Sequence, residues 1–318
     1  MLRVLAAPDK FRGTLSAREA AAAIALGASR ADWEAAELPL ADGGEGTLDV
    51  LGGANRTTVV TGPLGDPVEA SWRLEDGVAL VEAAQACGLT LAGGAERNDP
   101  LRATTRGVGE LITAAIAAGA ERVVLAVGGV ASTDGGVGAI TAVGGRLAVP
   151  VDVACDVDAR FLDAADVFAP QKGATPEQVE VLRERLAALD VPDQPGAGAA
   201  GGLAGGLAAL GATLVPGFDL VAGLLKLDGH LGHANLVVTG EGLVDATSLT
   251  GKVVGGVLAH AARARVETLV IAGDVVTNSP LVAVSLMALC GHERALADPA
   301  ACIAEVVEKE LTRRTRTA

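Results

Sequence analysis

Residues 3–19, RVLAAPDKFRGTLSARE, decide how the fold is read. The apolar run Arg3–Ala7 has the composition of a buried strand, and Pro8-Asp9-Lys10 turns the chain at its end. Ser16 and Glu19 then stand at the Ser-x-x-Glu spacing of a capping box, which opens a helix to about Ser29. The same grammar returns far along the chain. In residues 236–252, LVVTGEGLVDATSLTGK, the strand Leu236–Thr239 enters a glycine-rich turn and leads to a helix predicted over Gly251 to Arg263. Leu38–Ala41 reads as a second strand running into Asp42-Gly43-Gly44, and Thr268–Ala272 and Val282–Ala288 as two more. Asp298 as N-cap and Pro299 at the first helical position begin a last helix, with Ile303, Val306 and Val307 inward. Strands alternating with helices predict an α/β protein, and the two chain ends supply one doubly wound, Rossmann/flavodoxin-like domain.

The middle of the chain reads differently. Thr57–Val81 holds two β-like runs broken by GPLGDP, which predicts an antiparallel pair. Gly107–Ala118 is a predicted helix with Val108, Leu111, Ile112, Ala115 and Ile116 on one face, and Val123–Val127 a buried strand. Thr175 to Gln178 starts a helix with Val179, Leu182, Leu186 and Leu189 inward. Leu203, Leu207, Leu210 and Leu214, spaced 4, 3 and 4, trace one face of a core helix behind a Gly-rich loop. The domains are therefore 1–56 with 235–318, and a mixed α/β domain inserted at 57–234.

With 25 Lys+Arg against 39 Asp+Glu among 318 residues, the net charge of −14 argues against nucleic acid or an anionic membrane as partner. A hydrophobic fraction of 50% excludes a disordered chain, and with aromatics at 2% the core is built from Ala, Val, Leu and Ile. The start carries no signal-peptide stretch, and no run has the roughly 20 predominantly apolar residues of a membrane span. Cys87, Cys155, Cys290 and Cys302 form no CxxC pair and fit a reducing cytoplasm, as packed side chains.

Polar residues gather in Gly-flanked turns after apolar runs, where α/β strands present ligands. These are APDKFRGT (7–14), LADGGEGT (40–47), GGVASTDGG (128–136), ACDVD (154–158) with PQKGA (170–174), and TGEGLVDATSLTGK (239–252). Any one of them fits the bend of an ordinary α/β connection. Together they supply backbone N–H donors for phosphate, lysines to neutralise it and carboxylates for Mg²⁺, the mixture that phosphoryl transfer requires. TSLTGKV (247–253) fails as a Walker A loop, because Val253 stands where the Mg²⁺-binding hydroxyl belongs; no GxSxG elbow is present, and GGVASTDGG lacks the GxGxxG spacing of a dinucleotide fold.

APDKFRGTLSA, PLADGGEGT, DPLRATTRGVGELI, GGVASTDGG, ACDVD with VFAPQKGA, PGAGAAGGL and TGEGLVDATSLTGK follow one another in that order. Together they resemble the glycerate kinase family of the bacterial type I class, from about residue 3 to about residue 275. The resemblance implies two α/β domains, one inserted in the other. It implies ATP-dependent phosphorylation of D-glycerate with Mg²⁺, usually to the 2-phosphate. The chain departs from the family pattern at Val130, where a hydroxyl is common, at Ala159-Arg160-Phe161 after CDVD, and at Thr247 and Ser248. Those departures keep two alternatives open: a kinase for another short hydroxy acid, and a catalytically silent ligand-binding relative.

On the implied chemistry, Arg12 or Lys10 is the candidate cation for the substrate carboxylate, with Lys10 also counted as catalytic. Asp42 or Asp134 is the candidate acceptor for the hydroxyl proton. Mg²⁺ falls to Asp134, Asp156 or Glu241, and phosphate to Lys172 and Lys252. Gly43, Gly44, Gly128 and Gly129 offer backbone donors. Asp9, Glu45 and Thr105 are expected on the substrate side and Ser132 on the nucleotide side. The partners are the small acid and ATP; a homo-oligomer is compatible with the general prevalence of symmetric assemblies.

Overall fold

A computed structural model describes residues 2–11, 13–249, 251–277 and 279–317. The chain opens with β1 (Arg3–Ala6) and β2 (Glu34–Glu37). It then runs through β3 (Arg56–Thr61), β4 (Pro67–Glu75), β5 (Val78–Glu82), β6 (Arg122–Ala126), β7 (Val151–Cys155) and β8 (Thr213–Pro216). It ends with β9 (Leu236–Val244), β10 (Glu267–Val275) and β11 (Val284–Ser285). Two compact units result, residues 1–42 with 218–318, and residues 43–217. The nested plan is as expected, but the exchange points fall at Asp42/Gly43 and Gly217/Phe218 instead of at 56/57 and 234/235.

The first unit holds a parallel sheet in the order β11-β10-β9-β1-β2. Numbered along this unit alone, that is the flavodoxin-like order 2-1-3-4-5, with its reversal between β1 and β9. Alternate residues of the central strands face opposite sides. Leu269 and Ile271 join the cluster formed with the helices Ala17–Arg30 and Pro299–Thr317, through Ile24, Ile303 and Val307. Val270 and Ala272 pack against Val254 and Leu258 of the helix Val253–Ala264. The capping box forms as its spacing requires: Ser16 N donates to Glu19 Oε2 at 2.8 Å and Glu19 N to Ser16 Oγ at 3.2 Å. At Gly27 the two helices close so far that an added Cβ would stand 2.4 Å from Ala304 O.

The second unit holds the sheet β3-β4-β5-β6-β7-β8, antiparallel from β3 to β5 and parallel from β5 to β8. Val108, Leu111, Ile112 and Ala115 of the helix Arg106–Ala117 are buried on it, the face that periodicity marks out. The helix Pro176–Ala187 carries a full capping box between Thr175 and Gln178 and buries Val179, Leu182 and Leu186 against Phe161 and Ala164.

Three elements differ from expectation. The second strand is Glu34–Glu37, while Leu38–Ala41 continues beyond the ladder as buried chain, held by Leu38 N to Ala6 O and Leu40 N to Pro8 O. At a sheet edge the strand itself is half polar, so the adjacent apolar run attracts the assignment. Val282–Ala288 yields only the two residues of β11, because the Ser285 side chain caps the helix Leu286–Cys290 by accepting from Ala288 N at 3.1 Å. The leucine stripe is split. Its helix is Leu203–Ala209, Gly211 turns the chain at φ +95°, and Leu214 belongs to β8.

Substitution of Gly27 by Ala is expected to push the two packed helices apart at a cost of about 2 kcal/mol, read as a lower urea midpoint at an unchanged m-value.

Candidate active site

In the first unit the candidate residues sit where an open α/β sheet presents ligands, at the carboxyl ends of the two strands flanking the reversal. Chain pairing continues past the β1 ladder. Ala7 N donates to Val238 O at 2.8 Å and Asp9 N to Gly240 O at 2.9 Å, which sets Asp9 beside the stretch carrying Glu241. An added Cβ at Gly240 would stand 1.9 Å from Ile271 O, so glycine is required for β9 to lie against β10 at that point. Asp9 is buried, its Oδ1 accepts from Lys10 N at 2.7 Å, and Lys10 Nζ lies 3.9 Å from it. Burial pushes the Asp9 carboxyl up to about 7; Lys10 opposes the rise, and the charges of Asp42 and Glu241 add to it. Glu241 is also buried and raised above the ordinary carboxylate range, chiefly by burial. Ser248 and Lys252 pull it back, while Asp245 and Asp42 push it up. Asp9, Lys10, Asp42, Glu241 and Lys252 thus form one interacting group, with Ser248 and Asp245 at its margin.

Mg²⁺ favours one or two carboxylates together with waters and phosphate oxygens. Among the described residues no three His, Cys, Asp or Glu side chains are placed to hold a metal ion by themselves. Glu241 nevertheless fits a hard cation, because its Oε1 is buried without a hydrogen-bond partner among the described residues. Asp134 does not fit. Its Oδ2 accepts from Thr105 N (2.8 Å), Thr105 Oγ1 (2.9 Å), Gly138 N (3.2 Å) and Thr104 Oγ1 (3.4 Å), and its Oδ1 from Gly136 N (3.1 Å). A carboxylate so fully engaged holds its loop together instead of receiving a proton or an ion. Asp156 follows β7, is exposed, and its charge helps to raise the neighbouring Cys155 thiol.

The rest of the second unit's candidates divide into a backbone surface and a buried frame. Gly43, Gly44 and Glu45 lie in a turn pressed onto the carboxyl ends of the parallel strands. An added Cβ at Gly43 would stand 2.9 Å from Ala154 Cβ, and one at Gly128 would stand 2.8 Å from Gly44 Cα. Gly129 follows in the left-handed region at φ +72° and is exposed. Behind this surface Thr105 and Ser132 are fully buried, and Thr105 Oγ1 accepts from Ala139 N while donating to Asp134. Lys172 is buried as well. Its Nζ donates to Ser132 O at 2.5 Å, and burial brings its ammonium down to about 8, against the opposing influence of Cys87 and Asp134. Thr105, Asp134 and Lys172 are thus brought together as a support for residues 131–138, while Ser132 enters through its carbonyl and its buried Oγ has no hydrogen-bond partner among the described residues. Arg12 lies outside the described residues.

Sequence reasoning missed Asn98, whose Nδ2 donates to Ala131 O at 3.1 Å and Lys172 O at 2.9 Å. It also missed Glu82, whose Oε1 accepts from Gly46 N at 3.0 Å and Leu48 N at 2.7 Å. Glu82 carried a usable signal, an acid at the end of the apolar run Val78–Val81. All four cysteines are free thiols, and no helix among the described residues is long and apolar enough to cross a membrane.

Known proteins with this sequence pattern agree with one another. The model of the glycerate kinase family matches residues 4–150 and 146–316. The glycerate 2-kinase of Escherichia coli is 36% identical, over 88% of this chain and 87% of its own. The glycerate kinase of Bacillus subtilis is 39% identical over the same shares. An uncharacterized protein of Mycobacterium bovis is 44% identical over 90% of this chain and 83% of its own. A crystal structure from Salmonella typhimurium LT2 that carries the glycerate kinase 2 name superposes with a TM-score of 0.83 at 33% identity, covering 99% of each chain.

The raised Asp9 carboxyl has a stability consequence. It titrates near 3.8 in its ordinary state and at about 7 in the fold, so between those values the native state holds the additional proton. Stability therefore falls as pH rises through that window and is level above it. Asp9→Asn removes the slope. From about pH 5 to about pH 8 the variant should gain up to about 3 kcal/mol on the unsubstituted protein, measured by urea unfolding in metal-free buffer.

Proposed function

The chain belongs to the glycerate kinase family, and on that premise we propose that it transfers the γ-phosphate of ATP to D-glycerate, with Mg²⁺, to give 2-phosphoglycerate. The observation that carries the reading is the gathering of Asp9, Lys10, Asp42, Glu241 and Lys252 at the reversal of a 2-1-3-4-5 sheet. Acids and lysines in one group at that point suit a reaction whose difficulty is charge on phosphate.

Lys252 is the N-cap of Val253–Ala264, with extended backbone. Its ammonium and the N–H groups of that first turn attract phosphate oxygens from the same side. Lys10 lies beside Asp9 and carries the charge that complements the substrate carboxylate. Asp42, half-buried and followed by Gly43-Gly44, accepts the hydroxyl proton as attack proceeds; the five donors around Asp134 favour Asp42 over it. Glu241, supported by Asp42 and Asp9, would hold Mg²⁺, which when bound with ATP neutralises charge on the β- and γ-phosphates. Val130 lies in the hydrophobic core of the second unit, so its departure from the family pattern gives no reason to expect another acid in place of glycerate. The free thiols suit a reducing cytoplasm, where we place the protein.

A coupled ADP-release assay with ATP, Mg²⁺ and D-glycerate tests the reading. Turnover is expected with the unsubstituted protein, falling by roughly 10²–10⁴-fold in kcat for Asp42→Asn. Folded protein that releases no ADP with D-glycerate contradicts it.

A further inference from the structure

Glu82 is the last residue of β5 and is buried. Its single oxygen Oε1 takes hydrogen bonds from Gly46 N and Leu48 N, residues more than thirty positions earlier in the chain. The element it holds is weak by itself. Thr47–Val50 is a single helical turn, its N-cap is Gly46 at φ +96°, and no side chain of its own caps it. A four-residue helix with a glycine cap has no local reason to keep one orientation. Here the carboxylate of a sheet strand supplies the missing acceptor.

The consequence reaches the glycines before it. Gly43 is fixed against Ala154 and Gly217, with 2.9 Å and 2.7 Å to a built Cβ, and Gly44 and Glu45 N are fixed against Gly128 at 2.8 Å and 3.2 Å. Glu82 closes the remaining end of the same turn. The turn is thereby held at both ends and along its back, and its front is backbone without side chains at residues 43, 44 and 46. Burial raises the Glu82 carboxyl, the bonds from Leu48, Gly46 and Gln85 oppose that rise, and Glu45 adds to it. Burial of a carboxylate is costly unless hydrogen bonds compensate it, so a leucine or methionine would be the expected occupant if packing alone mattered.

We propose that Glu82 is a positioning residue for the acid substrate: by holding Gly46 and Leu48 it sets the Gly43–Gly46 turn in the form that binds the short hydroxy-carboxylate. This rests on the functional reading above. The role separates from general stability because it acts on one substrate. In Glu82→Ala the KM for D-glycerate should rise at least about tenfold, with the KM for ATP and kcat within about threefold of the unsubstituted enzyme. Glu82→Gln, which keeps an acceptor oxygen in place, should restore the KM for D-glycerate to within about threefold. If the alanine variant does not fold, Glu82→Asp, one methylene too short to reach both N–H groups, is expected to show the same selective rise. Unchanged KM for D-glycerate in Glu82→Ala or Glu82→Asp, or an equal rise for both substrates, overturns the inference alone. Absence of turnover in the unsubstituted enzyme overturns the functional reading with it.

Discussion

The parallel pairing of β1 with β9 is the contact on which the rest depends. It joins the first strand of the chain to one that follows the whole second unit, with Val4 opposite Leu236 and Ala6 opposite Val238. Without it the first unit has no central strand pair and no reversal in strand order. The pairing also runs past the ladder into Asp9 and Gly240, so the backbone bonds that close the sheet also place the carboxylates. Burial of several acids at one point costs free energy. Lys10 and Lys252 offset part of that cost, and the remainder appears as the raised Asp9 and Glu241 carboxyls. Carboxyl groups raised in this way are a common condition of residues that carry chemistry.

The second unit solves a different problem by one repeated device. Its glycine-rich turns bring backbone close to the strand ends, but a glycine N-cap has no side chain to accept from the helix N–H groups. The helices Thr47–Val50 and Val137–Ala142 both begin this way, behind Gly46 and Gly136. A carboxylate supplies the acceptor in each case, Glu82 from a distant strand for the first and Asp134, two residues before the cap, for the second. Lys172 and Asn98 add donors to the carbonyls of residues 131 and 132. The result is bare backbone on the outside and charged, fully engaged side chains behind it.

This arrangement explains what could be read from the chain alone. Capping boxes at Ser16 and Thr175 are local, and their helices stand where the spacing put them. Nesting of one α/β domain in another followed from the similar grammar of residues 3–19 and 236–252. The edge strand Glu34–Glu37 was not legible, since its half-polar pattern is set by a neighbour on one side only. Leu214 was misplaced because helical spacing can run through a glycine turn into a strand. Among the site residues, position in the turns after strands picked out Asp9, Asp42, Glu241 and Lys252, which the fold brings into one interacting group with Lys10. The same rule could not distinguish an acid that faces a ligand from one, like Asp134, whose oxygens the loop itself consumes; that depends on donors brought from Thr104 and Thr105.

The proposed phosphate transfer stands on the carboxylate group at the β1–β9 reversal. The most direct measurement is ³¹P NMR of ATP, Mg²⁺ and D-glycerate mixed with the unsubstituted protein and with Glu241→Gln, which preserves the shape of the side chain. The unsubstituted protein should convert the γ-phosphate resonance into that of a phosphate monoester, and Glu241→Gln, folded by circular dichroism, should do so at least about a hundredfold more slowly. Conversion by Glu241→Gln at the unsubstituted rate would contradict the account.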